Sequence, residues 1–218
     1  MKLYHHPLSS NARRAFMTAL LLESPVEAVV VDLTKGAQRQ PDYMKLNPNG
    51  KVPTLVDGNT VLWESLAIMI YLCEKARSAQ PLSEQLYPSD LAGRTEVNKW
   101  LFWTASHWSA AAAQLNFENM LKGRFGLGEP NSYAVGRAEL LFAEFARTLD
   151  ATLGKQAYVA GERLTLADIA IAPTLMYTDS AKLPVEGLSN LQRWFASIRE
   201  LPAWKATEPN IPGFGGKS

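Results

Sequence analysis

A single cysteine among 218 residues excludes an internal disulfide and leaves no Cys-x-x-Cys pair for dithiol redox chemistry. The histidines are three, His5, His6 and His107, and no set of His, Cys and carboxylates has metal-ligand spacing. Neither sign of charge is in surplus. With 22 basic and 21 acidic side chains the net charge is +1, so nothing marks a nucleic-acid surface or a basic membrane-binding tract. No stretch approaches the roughly 18 apolar residues of a membrane span. The opening MKLYHHPLSS lacks the apolar run of a secretory signal. Repeats and low-complexity tracts are absent as well. What is present is a chain 47% hydrophobic, enough for a substantial core and for one or two domains. The expectation is a soluble, cytoplasmic protein with no nucleic-acid or membrane partner.

Local patterns divide the chain in two. Residues 2–4 read as a strand and 11–22 as a helix with Phe16, Leu20 and Leu21 on its apolar face. Val26 to Val31, rich in β-branched residues, reads as a buried strand. A loop and short helix over 35–46 follow, then two strands around Asp57-Gly58 and a helix from Glu64 to about Arg77. That order, βαβ, helix, ββα, is that of a thioredoxin-like domain, placed at 1–79. Two prolines and no helical pattern put a linker at 80–89. An all-helical domain is expected over 90–206, with helices at 90–121, 133–153 and 188–199 and a short one opened by Pro202. A further helix starts at Thr165, with Asp168 as its capping-box partner and Leu164 against Ile169 as a hydrophobic staple. The Gly/Pro-rich stretch 207–218 is expected to be a mobile tail.

The most informative segment is NPNGKVPTLVDGNTVLWESLAI, residues 47–68. Asn47, Pro48, Asn49 and Gly50 make a dense turn, and Val52 must be extended because Pro53 follows it. An extended backbone edge at Val52 can pair with a peptide, while the helix start at Glu64-Ser65 can hold a carboxylate. The combination suits a small anionic peptide. This segment resembles the glutathione-binding half of the cytosolic glutathione transferases. LYHHPLSSNARRAF near the start and LTLADIAIAP further on also match that family, so the resemblance spans roughly residues 1–206. It is closest to serine-type members, bacterial or theta-, phi- or delta-like.

The resemblance implies a site. Val52 would offer its backbone N–H and C=O, presented by a cis Pro53. Glu64 and Ser65 would hold the γ-glutamyl end, and Lys51 the glycine carboxylate. A free thiol has a pKa near 8.5, and lowering it by about two takes roughly 2.7 kcal/mol. One hydrogen bond to a charged acceptor supplies about 1.5–3 kcal/mol, and a helix N-terminus about 0.3–1, so a single hydroxyl suffices without a general base. Ser9, Asn11 and Ser10 all sit where that donor belongs, in that order of preference, although each is equally explained as a helix cap. The resemblance breaks at Leu66, where many serine-type members carry Arg. Arg13 or a residue of a partner subunit is the expected substitute.

Glutathione is thus expected as co-substrate, with no metal, and a small hydrophobic electrophile as its partner in a homodimeric enzyme. Trp103, Ser106 and His107 are candidates for the electrophile pocket, against the plainer reading of a Trp-rich core stripe. His5 and His6 alternate faces at a strand end, so at most one points inward. Cys73 reads as a buried, inert thiol, and Asp168 as a folding residue. Two other functions stay open. One is a glutathione-dependent disulfide reductase, peroxidase, dehalogenase or isomerase on the same scaffold. The other is a binding or regulatory protein that kept the fold without catalysis. The electrophile's identity and the physiological role are not written in the sequence.

Overall fold

The computed structural model describes residues 1–209. It contains two compact units, one formed by Met1–Arg94 with the segment from Leu201 onward, the other by Thr95–Glu200. This division differs from the expected domain limits of 1–79 and 90–206. The first turn of the long helix and the segment beginning at Leu201 go with the first unit.

The first unit is built on four strands, β1 (Lys2–His5), β2 (Glu27–Val30), β3 (Thr54–Asp57) and β4 (Thr60–Trp63), in the order β2-β1-β3-β4. β1 is parallel to β2 and antiparallel to β3, and β3 is antiparallel to β4. The hairpin closes with Asp57 paired to Thr60, and Gly58 takes the positive φ of 57° that the two-residue turn demands. Helices α1 (Ser10–Leu21) and α3 (Ser65–Ala76) pack together, and α2 (Pro41–Leu46) precedes β3. Buried Met17 of α1, Ile68, Met69 and Leu72 of α3, and Leu3 and Leu55 of the central strands supply the core.

Two expectations fail here. The run Val26–Val31 is not a buried strand. β2 is an outer edge, with Val30 60% exposed, and only Val31 just beyond it is buried. The expected linker 80–89 contains a helix, α4 (Pro81–Leu86), opened by Pro81 at its first turn.

The second unit is helical. The run expected as one helix over 90–121 is α5 (Leu91–Trp103), a wider π turn (Thr104–Trp108), α6 (Ser109–Asn116), another π turn (Phe117–Leu121) and α7 (Lys122–Arg124). The Thr104 hydroxyl donates to the Trp100 carbonyl at 2.7 Å, the side-chain back-bond that loosens a helix at such a turn. α8 (Ser132–Leu153) follows, capped by Asn131, whose Oδ1 accepts from the Ala134 amide at 3.0 Å. α9 (Leu166–Ile171) continues through a 3-10 stretch (Ala172–Tyr177) into α10 (Thr178–Ala181), and α11 (Ser189–Arg199) closes the unit. The last helix, α12 (Pro202–Ala206), belongs to the first unit. Of the expected mobile tail, Thr207 and Glu208 are held by hydrogen bonds to α12 and α1, and 210–218 lie outside the described residues.

Candidate active site

The sheet register brings three chain segments to one edge. Tyr4 of β1 pairs with Thr54 of β3, and Thr54 with Trp63 of β4, so these residues form one row. The turn 6–9 leaves this row from β1, Val52-Pro53 enters it at β3, and Glu64-Ser65 leaves it from β4. Ser9 precedes Val52 by 43 positions and Val52 precedes Glu64 by 12, and the strand pairing puts the three segments side by side.

Each is held in a specific way. Ser9 caps α1: its Oγ accepts from the Ala12 amide at 3.1 Å, its carbonyl accepts from Arg13 N at 2.8 Å, and its own amide donates to the His6 carbonyl at 2.9 Å. The cap uses an acceptor lone pair, and the hydroxyl proton has no partner among the described residues. Ser10 is the first residue of the helix, and Asn11 beside it is exposed.

The Val52-Pro53 peptide is cis. Val52 is 8% exposed and packs with Ala12, Val31 and Tyr43, yet its amide and carbonyl make no hydrogen bond among the described residues. The turn before it is tied down by residues the sequence reading treated only as turn and helix. The Tyr43 hydroxyl donates to the Lys51 carbonyl at 2.7 Å and meets Thr54 Oγ1 at 2.9 Å, and Asn47 Nδ2 donates to the same two atoms at 2.8 and 3.2 Å. Asn47 is 2% exposed, so its side-chain amide is buried against these acceptors. The Lys51 side chain itself is exposed.

Glu64 stands at the start of α3 with φ 72°, a left-handed conformation that is strained for a residue with a side chain, and it makes no cap hydrogen bond. Ser65 follows, 6% exposed, with no hydrogen bond to its hydroxyl among the described residues. The first amides of α3 have no intrahelical acceptor. Beyond the Glu64 N-cap, the first turn of α3 carries no acidic residue.

The comparisons with known proteins agree with this geometry. The profile described as "Glutathione S-transferase, N-terminal domain" matches residues 8–75, and "Glutathione S-transferase, C-terminal domain" matches 132–197. The chain is 34% identical over 210 residues to Glutathione S-transferase hmp2 of Hypomyces subiculosus, covering 95% of this chain and 97% of that one. It is 34% identical over 218 residues to Glutathione S-transferase 3 of Zea mays, covering 97% and 95%. The theta class glutathione S-transferase from Xanthomonas axonopodis pv. citri, solved with glutathione bound, superposes with a TM-score of 0.82 at 30% identity, over 96% of this chain and 97% of that one. The chain belongs to the glutathione S-transferase family.

Within this transferase the arginines do not behave as expected. Arg13 does not replace the arginine missing at Leu66, because its side chain is bonded to Trp204 and Thr207. Arg14, which the sequence reading passed over, is the cation that feels Glu64. It is fully buried, and burial pulls its guanidinium down to about 10 while the nearby Glu64 charge pushes back. Burial acts on both histidines near the site. Burial lowers the pKa of His5, whose ring sits 5.1 Å from Phe16, and the charge of His6 lowers it further. His6 is lowered by burial against an opposing pull from Asp32, and its Nδ1 accepts from the Leu8 amide at 3.2 Å. Cys73 is fully buried, and burial pushes its thiol up to about 12, the inert state expected of it.

The helical unit has a cavity of about 480 Å³ between the π turn Thr104–Trp108 with α6 on one side and α8 on the other. Ser106 and His107 line it with Leu141, Phe145, Tyr133 and Arg137. Trp103, expected there, is not a lining residue. Its ring packs at 5.2 Å from Trp100, 5.7 Å from Trp108 and 5.9 Å from Phe145, so it belongs to an aromatic cluster. His107 meets Phe145 at 5.2 Å.

Proposed function

We propose that this glutathione transferase holds glutathione along the row of β1, β3 and β4 and activates its sulfur with the hydroxyl of Ser9. The observation that carries the reading is the unpaired backbone edge of Val52. A buried residue with both main-chain groups unused is rare in a folded protein, and an extended peptide laid against it would satisfy both. The cysteinyl residue of glutathione takes that place. Its γ-glutamyl end then reaches the start of α3, where the Ser65 hydroxyl and the open amides receive the carboxylate and Glu64 receives the amine. Lys51, exposed beside Val52, meets the glycine carboxylate. With the peptide so placed, its thiol lies toward the turn carrying Ser9.

Ser9 donates its free proton to the sulfur while its lone pair keeps capping α1. Such a charged hydrogen bond, worth about 1.5–3 kcal/mol, is comparable to the roughly 2.7 kcal/mol needed to lower a thiol pKa by two. The thiolate attacks an electrophilic carbon, forming a C–S bond as the leaving group takes the electron pair. The helical unit receives the apolar co-substrate, and its 480 Å³ cavity is within the size range of small-molecule sites. The active species is a homodimer in the cytoplasm.

The test is an ultraviolet titration of enzyme-bound glutathione against pH. The bound thiol should ionise well below the free peptide. Ser9→Ala should raise its pKa by about one to two while leaving affinity within a few-fold. If Ser9→Ala titrates as wild type while Asn11→Ala or Ser10→Ala does not, the donor is one of those residues.

A further inference from the structure

Arg13 does none of the work just described, yet its side chain is thoroughly engaged. It is 4% exposed. Its guanidinium lies 3.7 Å over the centre of the Trp204 ring, Nη2 donates to the Trp204 carbonyl at 2.9 Å, and Nε donates to Thr207 Oγ1 at 3.1 Å. The partner segment is itself tied together. The Thr207 hydroxyl lies 2.8 Å from the Ala203 carbonyl and 3.1 Å from that of Trp204, and Trp204 Nε1 donates to Glu208 Oε1 at 3.0 Å. Trp204 is 2% exposed. A planar fork with a stacking face fits this combination of ring, carbonyl and hydroxyl, and a lysine does not reproduce it.

Arg13 lies one turn beyond Ser9, and its amide donates to the Ser9 carbonyl at 2.8 Å. Its neighbour Ala12, whose amide donates to Ser9 Oγ, is buried in the cluster with Val31, Tyr43 and Val52. Adjacent helical residues point about 100° apart. The first turn of α1 is therefore gripped on two faces, by the Val52 side of the site through Ala12 and by segment 201–208 through Arg13. The rest of α1 is held by its packing on α3, and these two contacts act on the turn that carries the Ser9 hydroxyl.

We propose that Arg13 and segment 201–208 form a clamp that positions Ser9, so that this segment sets the acidity of the bound thiol. The inference rests on Ser9 being the thiolate donor. Arg13 acts through Ser9 and is a positioning residue.

The experiment is the ultraviolet titration of bound glutathione, at saturating peptide, for Ser9→Ala, Arg13→Lys, Thr207→Val and the double variant Ser9→Ala/Arg13→Lys. Arg13→Lys keeps the charge and loses the fork, and Thr207→Val loses one acceptor with little change of volume. Both should raise the bound thiol's pKa by about 0.5–1, a three- to tenfold loss of thiolate at mildly acidic pH. The double variant should titrate as Ser9→Ala alone. A merely structural Arg13 would lower thermal stability and leave the titration unmoved. Wild-type titrations in Arg13→Lys and Thr207→Val, or an added shift in the double variant, overturn the clamp. An unshifted Ser9→Ala instead removes Ser9 as donor, and the clamp falls with it.

Discussion

Two helix starts in this molecule are built in opposite ways. The start of α9 is closed. Thr165 Oγ1 accepts from the Ala167 amide at 3.2 Å, and Asp168, fully buried, accepts from the Thr165 amide at 2.8 Å, the Val159 amide at 2.8 Å and Trp194 Nε1 at 2.8 Å. The start of α3 is open. Glu64 occupies a strained conformation without capping, and Ser65 leaves its hydroxyl unused among the described residues. The lesson is about where polar groups are satisfied. A helix start whose donors find acceptors within the chain holds the fold together, and one whose donors do not is suited to a ligand.

The sharpest way to break the comparison is Asp168→Ala. It orphans three buried donors, each costing about 1–3 kcal/mol, so stability should fall by at least about 3 kcal/mol. That exceeds the roughly 0.5–2 kcal/mol of a lost cap alone. Denaturant unfolding measures the loss, and the fraction still folded should bind glutathione within a few-fold of wild type. Lost binding at full stability would place Asp168 in the site. Ser65→Ala is the mirror experiment. Removing a hydrogen bond to a charged ligand worth about 1.5–3 kcal/mol should weaken glutathione roughly ten- to hundredfold, with stability nearly unchanged. A stability loss without an affinity loss would mean that the α3 start serves the fold as the α9 start does.

A third change separates the cavity of the helical unit from its aromatic core. Ser106 is exposed on the cavity wall. Ser106→Trp should fill much of the space and raise KM for an apolar electrophile about tenfold, the order expected when an apolar site loses roughly 1.4 kcal/mol. Glutathione affinity should not move. An unchanged KM assigns the cavity to some other ligand.

The closed start was the more legible in sequence, because Thr165 and Asp168 act across three residues and that spacing is written locally. Even there, the Trp194 and Val159 partners of Asp168 were not visible, since both come from elsewhere in the chain. The open start was legible as chemistry and not as geometry. The positions of Val52, Glu64 and Ser65 could be named from turn and helix signals, but their meeting depends on the register of Tyr4, Thr54 and Trp63. Arg13 shows the limit most clearly. Beside a helix start it reads as a free cation looking for an anion, and its aromatic partner lies 191 residues away. The misreading of Val26–Val31 has a similar cause. β-branched content signals a strand, whereas burial depends on whether a second strand or helix covers it, and β2 is at the edge.

The smallest expected effect sets the two units against each other in pH. In the first unit burial lowers the pKa of His5 and His6 below the ordinary 6.5. The unfolded chain therefore takes up these protons first, and the stability from neutral, buried rings, fully present above about 6.5, is lost as pH falls through that value toward the lower folded pKa. In the second unit burial raises Asp168 to about 6 against its own hydrogen bonds. There the folded chain binds the proton first, so acidification from about 6 toward 4 adds stability from this group. The two contributions have opposite sign in overlapping ranges. His6→Gln should make the loss of stability between pH 6.5 and 5 shallower, and Asp168→Asn should make it steeper. Unfolding free energies at three pH values decide it: the same change of slope in both variants would mean that one of the two burial effects has the wrong sign.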